Sequence, residues 1–361
     1  MTTIAPKKTI QNLGKYQCPD EGRLDYIRLD FNENTNPVLD KRFSNYPEYK
    51  GLNNVLAQIF SADASNLTIT NGTDEALFLI ANTFIEPDKE YALVSTPTFS
   101  MIRRSLVIAG ANLIEVPVLS DLSYDIDGLE SALKSKEVKL AIFASPDNPT
   151  GSTIELDTID KWCKEFPKTL FVLDEAYAEY AGINAIPMVK RYKNLLVTRT
   201  FSKAWGMAGL RLGVIFGDEE LISSVNVLKM PYNVNTVASD TSASLIEIKE
   251  KVLKSAKETI ERKEEVINAL EKLGFQMVKG KGNFFLLDVD ARADEFYSFL
   301  RNKGILVRNL FKGDKKDRQN PLWGKVRISI GTEEENNQLV NAIGEWRKYS
   351  SMENKDEVLA Q

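Results

Sequence analysis

The run with the most chemical potential is Thr200-Phe-Ser-Lys203-Ala-Trp-Gly-Met-Ala-Gly-Leu-Arg211-Leu-Gly213. A lysine among small, apolar and hydroxyl residues is open to desolvation, which lowers its pKa and makes it an amine nucleophile for a carbonyl. Thr200, Ser202 and Arg211, on either side of it, are anion-binding types. A second candidate is Asp174-Glu-Ala-Tyr177, which ends an apolar run. An aspartate at the end of a buried strand is costly unless it meets a cation, although the same carboxylate could cap a following helix. Ser145-Pro-Asp-Asn148-Pro-Thr-Gly151 ends another apolar run, and its Asn-Pro and Thr-Gly pairs could equally be plain turns. Thr70-Asn-Gly72-Thr73-Asp-Glu75 precedes a helical stretch. A small-residue loop opening a helix can cradle a phosphate with its free N–H groups and the helix dipole. An Asp or Thr N-cap accounts for the same residues as well.

Strand-like runs supply the frame for these motifs: 91–95, 113–117, 140–145, 170–173, 194–198 and 212–216. They are short and mostly continuous in apolar character, as strands buried on both faces of a parallel sheet are. Helical stretches such as 74–84 and 155–166 fall between them, which predicts an α/β layered domain. In such sheets ligands sit beyond the carboxyl ends of the strands, where the motifs above begin. From about residue 240 the texture changes. A long charged amphipathic stretch over 243–273 predicts one or two helices whose charges form a solvated face. Strand-like runs at 283–289, 305–308 and 326–330 and helices near 293–303 and 332–348 then predict a smaller α/β unit. The expected organisation is an N-terminal arm over 1–45, a large domain over 46–245, a small domain over 246–349 and a flexible, frayed tail over 350–361.

Composition narrows the chemistry. The 361 residues are 43% apolar and 27% charged, enough for one or two large cores. The net charge of −5 argues against a nucleic-acid surface. The chain has no histidine, which excludes Ser-His and Cys-His pairs, histidine-ligated metals and histidine switches. Any general acid or base must be Lys, Asp, Glu, Tyr, Cys or a cofactor. The two cysteines, Cys18 and Cys163, make neither a disulfide framework nor a metal site and are expected to be inert thiols. No metal is expected. No apolar run is long enough to span a membrane and the first residues lack a signal-peptide pattern, so the expected location is cytoplasmic.

Taken together, a lysine for a Schiff base, an aspartate for a protonated ring nitrogen, a tyrosine and an asparagine for a ring hydroxyl, and hydroxyls, an arginine and a helix N-terminus for a phosphate are what pyridoxal 5′-phosphate requires. The Ser145–Gly151, Asp174–Tyr177 and Thr200–Gly213 motifs resemble those of the fold-type I, class I/II aminotransferases, and within them most the histidinol-phosphate aminotransferases. Leu29-Asp-Phe-Asn-Glu-Asn34, Tyr46-Pro-Glu48, Asn71–Glu75, Pro97-Thr-Phe-Ser-Met101, Ile305–Arg308 and Val326–Thr332 extend the likeness, in order, from about 27 to 345. The resemblance implies a large cofactor-binding domain with a mostly parallel, seven-stranded type of sheet between helices, and a smaller C-terminal α/β domain. It implies that Lys203 holds the cofactor and moves the proton, Asp174 pairs with the ring nitrogen, Tyr177 and Asn148 meet the ring oxygen and Phe99 stacks on the ring. Gly72, Thr73, Thr200, Ser202 and Arg211 would bind the phosphate, with Tyr46 reaching it from the neighbouring subunit of a homodimer with shared active sites. Arg327, assisted by Arg308, would take the substrate's carboxylate or phosphate, with Asn148 and Tyr46 beside it.

Two segments depart from the family pattern. Asn34 is followed by Thr35-Asn-Pro37-Val38, and the stretch over 309–325 is long and charged and contains Trp323. Both fall on the substrate side. The leading expectation is transamination between an amino donor, by default histidinol phosphate, and 2-oxoglutarate. The alternative is a relative with the same cofactor shell that decarboxylates, or eliminates from and cyclises, a functionalised amino acid. A non-catalytic binding protein on the same scaffold is the remaining alternative, which the intact Lys203, Asp174, Tyr177 and Asn148 disfavour.

Overall fold

A computed structural model describes residues 4–11, 13–14, 38, 40, 43–310 and 320–359. The motif at 29–34, the departure at 35–37, Cys18 and residues 311–319 lie outside the described residues.

The larger sheet has seven strands: β1 (Leu67–Asn71), β2 (Tyr91–Thr96), β3 (Asn112–Pro117), β4 (Val138–Ala144), β5 (Leu170–Asp174), β6 (Leu195–Thr200) and β7 (Leu212–Gly217). Their order is β1-β7-β6-β5-β4-β2-β3. β7 runs antiparallel to both its neighbours and the other pairings are parallel. Both faces are covered, which is why the strands read as unbroken apolar runs. Along β5, Leu170 and Val172 enter the layer shared with helix Gly72–Phe84, while Phe171 and Leu173 enter the layer shared with helices Lys50–Phe60 and Leu156–Glu165. This alternation is the period-two geometry of a strand.

All six strand-like runs of this region are strands. β1 is the one the apolar pattern did not mark, because Thr68 and Thr70 interrupt it. Both threonines are buried, and Thr68 Oγ1 donates to Asn226 Oδ1 at 2.6 Å. A buried hydroxyl is tolerated when it finds such a partner, and that partner lies far along the chain.

The smaller sheet is antiparallel, with β8 (Met277–Val278), β9 (Phe284–Asp288), β10 (Arg308–Asn309) and β11 (Lys325–Ser329) in the order β10-β11-β9-β8. The expected strand at 305–308 is reduced to its last residue, because pairing with β11 begins only at Arg308. Helices Ala293–Asn302 and Glu333–Leu359 cover one apolar layer around Phe285, Leu287, Phe296 and Trp346. The second helix continues through the polar residues after 350, where fraying was expected; Met, Glu, Lys and Leu there are good helix formers. The charged stretch over 243–273 is a single helix, Ser242–Lys272. It packs on helix Lys50–Phe60 and on helix Glu333–Leu359, so it joins the two sheets. Its charges are not all solvated: Lys263 is 1% exposed.

No helix among the described residues is long and apolar enough to cross a membrane. Cys163 is buried, and burial pushes its thiol up to about 12.

Candidate active site

Asp174 is the last residue of β5, and β5–β6 pairing sets it opposite Thr198. The Thr198 hydroxyl donates to Asp174 Oδ1 at 2.7 Å. Burial drives the Asp174 carboxyl up to about 6, against the hydrogen bonds of Thr198 and the Ala176 backbone that favour its ionised form. No helix is capped by it: the next one, Ala178–Ala181, starts after Tyr177.

β6 ends at Thr200, and Phe201 turns into the core against Phe60 and Trp205. That anchor leaves Ser202 and Lys203 on the cleft side. The Ser202 N–H donates to Thr200 Oγ1 at 3.1 Å. The Lys203 ammonium opens to solvent through the cleft and lies 5.4 Å from the centroid of the Tyr177 ring. The surrounding walls, and then the Arg327 cation, hold its pKa below the usual lysine value. Burial raises the Tyr177 hydroxyl to about 12. The Tyr177 ring meets Phe284 edge-on at 5.3 Å.

The turn after β4 brings Asn148 to the same place, where its Oδ1 accepts from Arg327 Nη1. Asp147 beside it is 1% exposed and also raised to about 6 by burial. It accepts from the hydroxyls of Thr98 and Thr150. The Thr98 bond ties the Asn148 turn to the loop that carries Phe99.

At the other end of the cleft, Gly72 opens helix Gly72–Phe84 with φ +74°, and a Cβ there would lie 2.6 Å from Arg211 Nη2. The left-handed backbone angle favours glycine here, and the Arg211 guanidinium packs directly over it. Arg211 pairs with Asp74 at 3.0 Å and lies 3.5 Å from Ser202 Oγ. Neither Thr73 nor Asp74 caps the helix; Asn71 precedes its first turn and makes no side-chain cap. The plain N-cap reading of this motif therefore fails.

One cleft joins these groups. Of the residues singled out from the sequence, Thr73, Phe99, Asn148, Asp174, Tyr177, Thr200, Ser202, Lys203 and Arg211 line it. Gly72 lies directly beneath Arg211. Arg308 and Arg327 face each other across β10 and β11 and border a neighbouring groove, from which Arg327 reaches Asn148. Tyr46 does not line the cleft of its own chain; its ring packs against Tyr232 at 4.5 Å. Sequence reasoning did not single out Thr198, Asp147, Thr98 or Phe284. Only strand register could have revealed Thr198. Asp147 stood inside a quoted motif, where an acid with no nearby cation was the available signal.

A model of the family described as aminotransferase class I and II matches residues 8–343. The chain is 33% identical over 310 residues to a histidinol-phosphate aminotransferase of Ruminiclostridium cellulolyticum, covering 84% of each chain. It is 33% identical over 334 residues to histidinol-phosphate aminotransferase 1 of Carboxydothermus hydrogenoformans, covering 88% of this chain and 92% of that one. Among solved structures, the histidinol-phosphate aminotransferase of Sinorhizobium meliloti in complex with pyridoxal 5′-phosphate matches with a TM-score of 0.77 at 22% identity, over 86% of this chain and 84% of that one. An L-threonine-O-3-phosphate decarboxylase from Porphyromonas gingivalis matches with a TM-score of 0.73 at 22% identity, over 85% and 92%. At these identities the two structures show a shared fold.

Proposed function

From the premise that the chain belongs to the class I and II aminotransferases and is a pyridoxal 5′-phosphate-dependent enzyme, we propose that it transfers the amino group of histidinol phosphate to 2-oxoglutarate, at the cleft described above. The observation that carries this assignment of the site is Asp174: a carboxylate 2% exposed, meeting only neutral donors, in the same cleft as a lysine and a guanidinium-topped helix N-terminus. A protonated ring nitrogen supplies the missing cation, and the Gly72–Arg211 cup suits a phosphate, so the residues present fit the cofactor.

When bound, pyridoxal phosphate supplies an aldehyde that condenses with amines and an electron-poor ring that takes up charge from a substrate Cα. The chain's own residues bind, orient and move protons. Asp174 keeps the ring nitrogen protonated. Tyr177 and Asn148 orient the ring oxygen, and Phe99 covers one ring face. Gly72, Thr73, Thr200, Ser202 and Arg211 would hold the phosphate. Lys203 Nζ would hold the cofactor and move the proton at the substrate Cα; its lowered pKa favours the neutral amine that both roles require. Arg327, with Arg308 beside it, holds the substrate anion, and Asn148 shares that contact. Tyr46 reaches the phosphate of the neighbouring subunit in a cytoplasmic homodimer, a role compatible with its half-exposed ring lying away from its own cleft. The histidinol-phosphate preference rests on the relatives named above.

The test is a product assay on the cofactor-loaded enzyme with a panel of amino donors, with and without 2-oxoglutarate. Glutamate formation that depends on 2-oxoglutarate and is most efficient with L-histidinol phosphate is expected. Turnover without an oxo acid, releasing carbon dioxide or ammonia, would assign the chain to the decarboxylating or eliminating relatives instead.

A further inference from the structure

Helix Ser242–Lys272 carries one buried cation that the proposed chemistry does not use. Lys263 is 1% exposed, and its Nζ donates to Gly280 O at 2.9 Å and to Gly282 O at 2.8 Å. Among the described residues no carboxylate pairs with it. Burying an ammonium without a counter-ion is expensive, and an apolar side chain would fill the same space at less cost. The two carbonyls belong to a turn that must itself be satisfied when buried, so the lysine fixes the shape of that turn. Burial brings Lys263 down to about 8. A neutral amine still has two N–H donors, so both bonds persist on either side of that value.

The clamped turn docks on the active-site wall. Gly280 and Gly151 meet backbone to backbone: a Cβ on Gly280 would lie 2.8 Å from Gly151 Cα. The Lys281 N–H donates to Gly151 O at 2.8 Å. Gly151 closes the turn that carries Asn148. On the other side, Asn283 O accepts from Ile330 N at 2.9 Å, three residues beyond Arg327. Phe284, next in the chain, touches the Tyr177 ring and lies 5.5 Å from the Arg327 guanidinium. Small-sheet and large-sheet residues of the site are thus held in register through one glycine turn.

We infer that Lys263 is a positioning residue: by clamping the Gly280–Gly282 turn onto Gly151, it sets where Arg327 meets Asn148, and with that the affinity of the site for the substrate anion. The inference rests on the reading of Arg327 as the anion-binding group. The experiment is a double-mutant cycle on the cofactor-loaded enzyme, reading KM for L-histidinol phosphate with saturating 2-oxoglutarate as acceptor, combined with amide hydrogen exchange. Lys263→Met is expected to raise KM about tenfold, with kcat changing less, the signature of a displaced binding group. Lys263→Arg is expected to restore KM. Exchange of the Lys281 amide is expected to quicken in Lys263→Met while amides of β5 and β6 stay protected. In an Arg327→Ala background, Lys263→Met is expected to add nothing to KM. Should Lys263→Met not fold, Gly280→Ala attacks the same dock from the turn and is expected to raise KM in the same way. A raised KM in Arg327→Ala with none in Lys263→Met or Gly280→Ala overturns the inference alone, as does an additive effect in the double variant. An unchanged KM in Arg327→Ala overturns the reading of Arg327, and the inference falls with it.

Discussion

Asp174 and Glu175 leave the same strand end and meet opposite surroundings. Glu175 is 0% exposed, yet it lies 2.8 Å from the Arg199 guanidinium and accepts from the Ala185 N–H at 2.7 Å. Arg199 also reaches Glu179 at 3.1 Å, and Trp205 donates to that same carboxylate. Behind the sheet end, buried charge is answered by buried charge. In front of it, Asp174 and Asp147 meet hydroxyls and N–H groups only, and Lys203 faces them across the cleft with its own pKa lowered. Both surroundings raise the carboxyl pKa values by burial. The difference is what they leave unbalanced. The rear carboxylates find a cation within the chain, Glu175 and Glu179 sharing the Arg199 guanidinium, whereas the front carboxylates Asp174 and Asp147 meet neutral donors, the pattern of a site that awaits a ligand.

That contrast can be broken from either side. The largest effect is expected from Lys203→Ala. Turnover should fall at least about 10⁴-fold, while calorimetry of the cofactor-free protein shows little change in melting, since the exposed side chain meets the fold mainly through a distant contact with the Tyr177 ring. Retained turnover would remove the cleft from the chemistry. Next comes Arg199→Met, which strands Glu175 and Glu179 without their cation. Urea unfolding should show a loss of about 3–5 kcal/mol, the usual consequence of breaking a buried pair from one side. A loss no larger than that of an exposed ion pair would erase the distinction between rear and front. The smallest effect concerns pH. In the cofactor-free protein the Asp174 carboxyl sits at about 6 against an ordinary 3.8. Below about pH 4 it is protonated in the folded and the unfolded chain alike. Between about 4 and 6 the unfolded chain ionises first, so this group costs stability as pH rises. Asp174→Asn removes that cost. Its stability relative to wild type should therefore climb through this window by on the order of 1–3 kcal/mol and level off above it. A difference independent of pH would show that Asp174 ionises as easily in the folded protein as in the unfolded one.

How much of this was legible in advance depended on how local each contact is. The strand-end motifs could be placed because an apolar run and the polar residues after it are neighbours in the chain. Seven of the residues they nominated line one cleft, joined there by Thr73 and Phe99. The helix over 243–273 was legible as a helix, but its charges were read as a solvated face. Nothing in their spacing separates Lys263 from the lysines around it; the packing of the smaller sheet alone buries it. β1 was missed for a related reason, since a threonine-rich strand is recognisable only once Asn226 is seen beside Thr68. Thr198 became a partner of Asp174 through the β5–β6 register, which periodicity does not specify.

The sequence by itself determined the chemical inventory. Without histidine, it left a lysine, two strand-end motifs and a glycine-opened helix as the working groups, because side-chain type and strand-end position are local properties. The tertiary structure decided which charges are spent on the fold and which face the cleft. It alone set Glu175 against Arg199 and left Asp174 without a cation. It brought Arg327 to Asn148 across 179 residues of chain, and it gave Lys263 a turn to hold. The physical reason is the same each time: pairing and desolvation depend on what packs alongside a group, and the neighbours that matter here come from distant parts of the chain.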